Sequence, residues 1–352
     1  MSVVVAHWLG LVAEQNVPAG VAAALHGAML DYFSPGRLGV VAFFCVSGFV
    51  IPFSFRGQRP LSGFLISRVF RLYPVYWIAC LLTLLVMPAV VGPISTFGLI
   101  ANATMLTKFL GQPYILGVAW TLTMELVFYG ICFLAFSVRI LHSARFNLAA
   151  ITFFVATALG MAGWRWAHPS SHLPAQFATF LAAMHFGTLV RLWLVEDNAR
   201  AARFAPYAAM VLLVGISLAN GLGYWRTNET EVGVIAITAS YAVGVALFLW
   251  CAMRGRFAGP RTVALGGISY SLYLIHPLVL GATLPLWQWL GPWWVAAAVL
   301  TIVNLLGSVL ISYAMFKMIE VPAQNAGRRI VKAWGGRSSP TSSAMPAVAN
   351  RN

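Results

Sequence analysis

Apolar runs of about 17–25 residues succeed one another along almost the whole chain, with short polar connections between them. A helix needs about 20 consecutive apolar residues to cross a bilayer, so nearly every run is long enough to be a span. Ten candidates follow, over residues 1–13, 37–55, 72–92, 117–137, 147–165, 175–193, 206–222, 232–252, 268–287 and 293–316. With 60% hydrophobic and 9% charged residues in 352, little is left from which to build a soluble domain. A membrane β-barrel would instead show strands of about ten alternating residues, and no such alternation is present. The expected fold is all-α: a polytopic integral membrane protein of about ten transmembrane helices. One membrane domain is expected over residues 1–333, followed by a disordered cytoplasmic tail over 334–352 rich in Ser, Pro and Ala.

Charge orients these spans. The formal net charge is +14, which in a soluble protein would suggest a nucleic-acid partner. Here placement explains it. With both termini cytoplasmic and ten spans, the inner loops and tail hold 18 of the 22 basic residues, leaving only Arg37, Lys108, Arg165 and Arg226 outside. That matches the positive-inside bias, and an odd number of spans would scramble it. The expected setting is the cytoplasmic (inner) membrane, with the lipid bilayer and not nucleic acid as the standing partner. Cys45, Cys80, Cys132 and Cys251 lie in apolar runs without CxxC spacing, so neither a disulfide framework nor a metal site is expected. The first run is short and lacks the pattern of a cleaved leader. It is expected to be a half-embedded or N-terminally incomplete first helix.

Against this apolar background a few polar residues stand out. Glu125, in Trp120-Thr-Leu-Thr-Met-Glu-Leu-Val-Phe-Tyr129, is the only carboxylate between Asp31 and Glu196. An acid inside a span costs about 2.5–3.5 kcal/mol on insertion scales, so such a residue faces a cavity or a partner. The topology puts Glu125 in the outer half of its span, at about the depth of His7. A His/Glu pair could act as a general base on an acceptor hydroxyl, although each residue alone is as readily structural. Arg68 and Arg71 lie one turn apart at the inner entry to the third span. They could fork a phosphate or carboxylate between them, or simply anchor the helix at the interface. Ser269, Tyr270, Tyr273 and His276 form a polar stripe expected along the inner half of the ninth span, next to Pro277. A wet cavity and a histidine bonded across helices are equally consistent with it. Glu320, after the last span, is expected to pair with an arginine. Gly39 to Gly48 is expected to be a close-packed helix face.

Taken in order, these stretches resemble acyltransferase family 3, the integral membrane proteins that O-acylate sugars and small natural products. The resemblance runs from about Met1 to Arg329. It rests on the His ending the first span, the Gly39-Val-x-x-Phe-Phe-x-x-Ser-Gly-Phe run and the Arg68-x-x-Arg-Leu-x-Pro entry. It continues through Trp120-x-Leu-x-x-Glu-x-x-Phe-Tyr, Ser269-Tyr-Ser-x-Tyr-Leu-x-His-Pro and Ile319-Glu-x-Pro. Each motif is weak alone, and their order on ten spans is what carries the likeness. In the family pattern further residues, including a basic one, precede this His, where the sequence here has Met1 to Ala6.

The resemblance implies an acyl-CoA co-substrate, usually acetyl-CoA, entering from the cytoplasm, with no tightly bound cofactor. The implied acceptor is a hydroxyl of a sugar, polysaccharide or glycosylated metabolite. His7 matches the family's essential histidine, Arg68 and Arg71 its paired arginines, and Glu125 the acid of its Trp-x-Leu-x-x-Glu motif. The expected mechanism has Arg68 and Arg71 holding the CoA phosphates and Tyr270, Tyr273 and His276 lining the path of the thioester. His7, oriented by Glu125, then deprotonates the acceptor. The rival reading from the residues is a proton-coupled secondary transporter, which ten spans with buried Glu and His also suit. No internal repeat supports it.

Overall fold

The computed structural model describes residues 2–171, 173–224, 233–254 and 259–334. His172, Arg226, Arg256 and the tail from Gly335 lie outside the described residues. Among the described residues the structure is helical and contains no strand. In chain order the helices are α1 (Ser2–Ala13), α2 (Ala19–His26), α3 (Pro35–Val50), α4 (Pro60–Val86), α5 (Pro88–Val91), α6 (Thr96–Ala103) and α7 (Trp120–Ser137). There follow α8 (Ala144–Ala167), α9 (Ala175–Leu194), α10 (Ala199–Tyr224), α11 (Val234–Arg254), α12 (Pro260–Thr283), α13 (Trp293–Met315) and α14 (Val321–Trp334). Nine of the described helices or helix runs are long and apolar enough to cross a bilayer, and α1 is a shorter apolar one. The protein is thus a polytopic all-α membrane protein.

Several boundaries shift from the hydropathy reading, and the shifts matter for the site. α4 begins at Pro60 rather than 72, so Arg68 and Arg71 sit well inside a helix and not at its mouth. Two arginines depress the hydropathy of that stretch, yet their aliphatic stems still cover apolar surface. α12 begins at Pro260 rather than 268, which moves His276 into the far half of its helix, beyond the inner half where it was expected. The connection over 14–36, expected to be a loop, holds α2 and a π-helical turn, Gly27–Tyr32. A second π turn, Phe316–Glu320, joins α13 to α14. That turn inserts one residue into the buried stripe Asn304, Ser308, Ser312, Met315, so that Glu320 and not Ile319 faces inward.

A very close crossing pairs α3 with α9. A Cβ on Gly48 would land on the carbonyl of Met184, and one on Gly187 would land on the carbonyl of Cys45. The two backbones therefore touch, and Thr188 Oγ1 donates to the Gly48 carbonyl across the crossing (3.0 Å). Small residues at membrane helix crossings allow this approach. Phe44, Phe180, Phe186 and Tyr241 pack around it, each at most 2% exposed. The outward surfaces carry many exposed large apolar residues, such as Leu85, Phe153, Ile235 and Leu310, as a lipid-facing surface requires.

Candidate active site

α1 packs between α3, α12 and α13. Its Trp8 indole donates to Thr301 Oγ1 on α13 (2.7 Å), which fixes the rotation of the helix and brings His7 to His276. His7 Nδ1 lies 3.0 Å from His276 Nε2, with the rings inclined by 22°. His276 Nδ1 lies 3.1 Å from the Leu272 carbonyl. A carbonyl only accepts, so His276 carries its proton on Nδ1, and its Nε2 accepts from His7 Nδ1–H. Of the four ring nitrogens of this pair, the Nε2 of His7 is the one left uncommitted among the described residues. His7 is exposed to a cavity of about 940 Å³, walled by Leu11, Met87, Leu280 and Trp287, with Glu14, Gln15, Asn16 and Gln288 supplying polar groups. Apolar walls with a few polar groups around one basic nitrogen make a site for a hydroxyl-bearing ligand.

The opposite, basic face holds a second cavity of about 410 Å³. Arg56, Arg68, Arg71, Arg328 and Lys332 line it together with Ser54 and Gln324, and no carboxylate does. Arg68 Nη2 donates to Ser54 Oγ (2.8 Å), and its guanidinium carbon lies 5.4 Å from the ring centres of both Phe64 and Tyr129. Its buried Nε has no partner among the described residues. α14 folds back along α4, with Gly327 against Phe70 and Val331 near Gly63, and so delivers Arg328 and Lys332. Five cations around a cavity with no acidic lining make a site for a polyanion such as a pyrophosphate.

The two cavities are separated along α12. Tyr270 donates to the Leu72 carbonyl (2.8 Å), which ties α12 to α4 at the level of Arg71. His276 lies six residues further along, about 9 Å by helical rise. Tyr273 between them donates to the Val118 carbonyl (3.0 Å) and accepts from Thr121 Oγ1 (2.8 Å). The hydroxyls of Tyr270 and Tyr273 are therefore spent on holding helices together, and neither is free for a thioester.

Two expected pairings are corrected. Glu125 does not orient His7: its Oε1 accepts from Tyr129 OH (2.8 Å), and its carboxylate is within electrostatic reach of Arg71 and Arg68. α7 packs on α3 and α9, whereas α1 packs on α3 and α12, so equal depth did not make His7 and Glu125 neighbours. Glu320 likewise bonds no arginine among the described residues. It accepts from Ser271 Oγ (2.7 Å) and Gln324 Nε2 (3.1 Å). The residues that reasoning from sequence missed are Arg56, Arg328 and Lys332. A signal was there for two of them: Gln324, Arg328 and Lys332 recur at four-residue spacing, one face of an amphipathic helix.

Comparison with known proteins now decides the family. A family model described as an acyltransferase domain matches residues 1–313. The chain belongs to acyltransferase family 3. Nodulation protein 10 of Rhizobium leguminosarum bv. viciae is 22% identical to this acyltransferase over 323 residues, covering 83% of each chain. No solved structure matches. The protein is thus a membrane acyltransferase, with a hydrogen-bonded histidine pair beside one cavity and cations lining another.

Proposed function

We propose that the protein transfers an acyl group, acetyl in the simplest case, from cytoplasmic acyl-CoA to a hydroxyl of a sugar, polysaccharide or glycosylated metabolite. The basic face is the cytoplasmic one, in the inner membrane. The observation that carries the reading is the ordered chain from the Leu272 carbonyl through His276 to His7, which leaves His7 Nε2 as a free base in a large cavity. The separate cation-lined cavity suits the phosphates of the donor, from which the thioester arm climbs toward His7.

The acceptor oxygen attacks the thioester carbonyl as its proton passes to His7 Nε2. The C–S bond then breaks, and the CoA thiolate takes the proton back from the imidazolium. His276 touches neither substrate and positions His7. Replacing it with alanine is expected to lower kcat about 10–10²-fold, by analogy with the loss of an orienting partner to a general base, with little change in donor KM. A glutamine there restores part of the activity through its acceptor oxygen. Equal activity of wild type and His276→Ala would remove the relay from the mechanism.

Arg68→Ala and Arg71→Ala are expected to raise the KM for acyl-CoA about tenfold or more each, with smaller changes in kcat, because a charge-assisted bond to phosphate is worth about 1.5–3 kcal/mol. Unchanged KM in both variants counts against the donor site. Glu125 joins this lower site through Tyr129 and the two arginines, as a residue that holds the donor arm in place. The direct test of the whole reading is to incubate membranes carrying the protein with acetyl-CoA labelled in the acetyl group. Label in a glycan or metabolite supports it, while proton-driven uptake or efflux without incorporation supports a transporter.

A further inference from the structure

We propose that a third cavity, of about 640 Å³ between the start of α4 and the end of α7, holds a phosphomonoester: the 3′-phosphate of the CoA donor. The proposal rests on the donor reading above. Arg59 and Arg139 both line this cavity with Ser62 and Ser137, and no carboxylate lines it. Neither guanidinium has an ion-pair partner among the described residues. His142, also in the wall, is already committed. Its Nε2 donates to the Pro52 carbonyl (2.8 Å) and its ring stacks on Phe53. The two arginines are therefore the groups available to an anion.

The backbone at Arg139 makes its identity informative. Its φ is +62°, and its amide donates to the Phe136 carbonyl (2.9 Å) while the Ile140 amide donates to that of Ala135 (2.9 Å). This left-handed turn after α7 is the position where glycine is favoured, because a side chain there is strained. An arginine that occupies it puts a guanidinium on the cavity wall at a cost to the local backbone.

The third cavity is also linked to the donor cavity through shared wall residues. Arg59 and Ser62 line, together with Arg56, Lys332 and Trp334, a small cavity of about 250 Å³. Arg56 and Lys332 in turn line the cavity of Arg68 and Arg71. A ligand with a diphosphate and a second, separate phosphate presents the anions that two such neighbouring basic cavities would take, and CoA has that pattern. Dephospho-CoA lacks only the second phosphate. Trp334 in the intermediate cavity offers an aromatic face for the adenine base carried by the same ribose.

The experiment measures equilibrium binding of CoA and dephospho-CoA to the purified full-length chain in uncharged detergent, for wild type, Arg139→Gly and Arg59→Gln, with thermal unfolding of each. The wild type is expected to bind CoA about tenfold or more tightly than dephospho-CoA. In both variants that ratio is expected to fall toward one, chiefly by loss of CoA affinity. Arg139→Gly is expected to unfold at no lower temperature than wild type, since glycine suits the turn. Equal wild-type affinities for the two ligands overturn the subsite, as does a ratio untouched by either variant. So does equal weakening of both ligands, which would mark a general field and not a direct bond. A lower unfolding temperature in Arg139→Gly with the ratio intact assigns Arg139 to the helix end alone and overturns it too. A parallel series with phosphatidylglycerol vesicles separates the remaining source of phosphate: loss of vesicle binding with an unchanged nucleotide ratio would give the arginines to a lipid headgroup. Binding of neither nucleotide would overturn the donor reading itself, and this subsite with it.

Discussion

Replacing His7 with alanine is expected to lower kcat by about 10²–10⁴-fold, the usual contribution of general-base assistance, while the protein folds and binds its donor as before. Both halves of that expectation follow from geometry. His7 lines the cavity, whereas His276 does not line it and is fully buried behind it, held by its Nδ1 to the Leu272 carbonyl. The side chain is exposed to that cavity, so truncation opens no new buried hole. Truncation breaks the hydrogen bond to His276, whose Nε2 can then be reached by water from the cavity. The donor cavity shares no lining residue with the cavity of His7, so the affinity for CoA should stay close to that of wild type. The check combines turnover with labelled acetyl-CoA, CoA binding and the unfolding temperature in detergent. Full turnover by His7→Ala would remove the general base from the mechanism, and abolished CoA binding would show that the two cavities are not separable.

Gly48→Ala is expected to have the largest effect on stability. The added methyl would fall on the Met184 carbonyl, a backbone atom of a packed helix that cannot move aside as a flexible side chain could. α3 and α9 must then separate, at about 1–3 kcal/mol for overpacking, with the Thr188 bond across the crossing weakened as well. Gly187→Ala meets the Cys45 carbonyl at the same crossing and should cost a similar amount. The double variant should cost less than the sum, because one separation relieves both clashes. Gly130→Ala supplies the control: its Cβ meets nothing within 4 Å, and alanine is the better helix former. Thermal unfolding in detergent reads all four. A Gly48→Ala protein as stable as Gly130→Ala would mean that the two backbones are not tightly packed.

His7, Arg68 and Arg71 stood out by residue type and motif, and the structure puts each against a cavity. Their partners were not legible in the same way. His276 stood in a polar stripe with an open choice between a wet cavity and a bond across helices, and the structure selects the bond, to His7. Glu125 looked like that partner because hydropathy and charge place residues by depth, and depth is one coordinate of three. Which helices are neighbours depends on side-chain packing across the bundle, as at the Gly48–Gly187 crossing, and no single run of residues reports it. Helix ends were misplaced where polar residues continue a helix past its apolar stretch, at Arg68 and Arg71 in α4 and before Leu265 in α12.

By itself the sequence determined that this chain is a bundle of membrane helices and which few polar residues stand out from it. Those properties follow from local composition, since a bilayer accepts only helices or closed barrels and penalises charge residue by residue. Only the tertiary structure decided that His7 answers to His276, that Glu125 and Tyr129 belong with the arginines, and that α14 returns along α4 to complete a cation-lined cavity. Those pairings join residues as far as 269 positions apart, and the free energy that selects them is the packing of whole helices against one another.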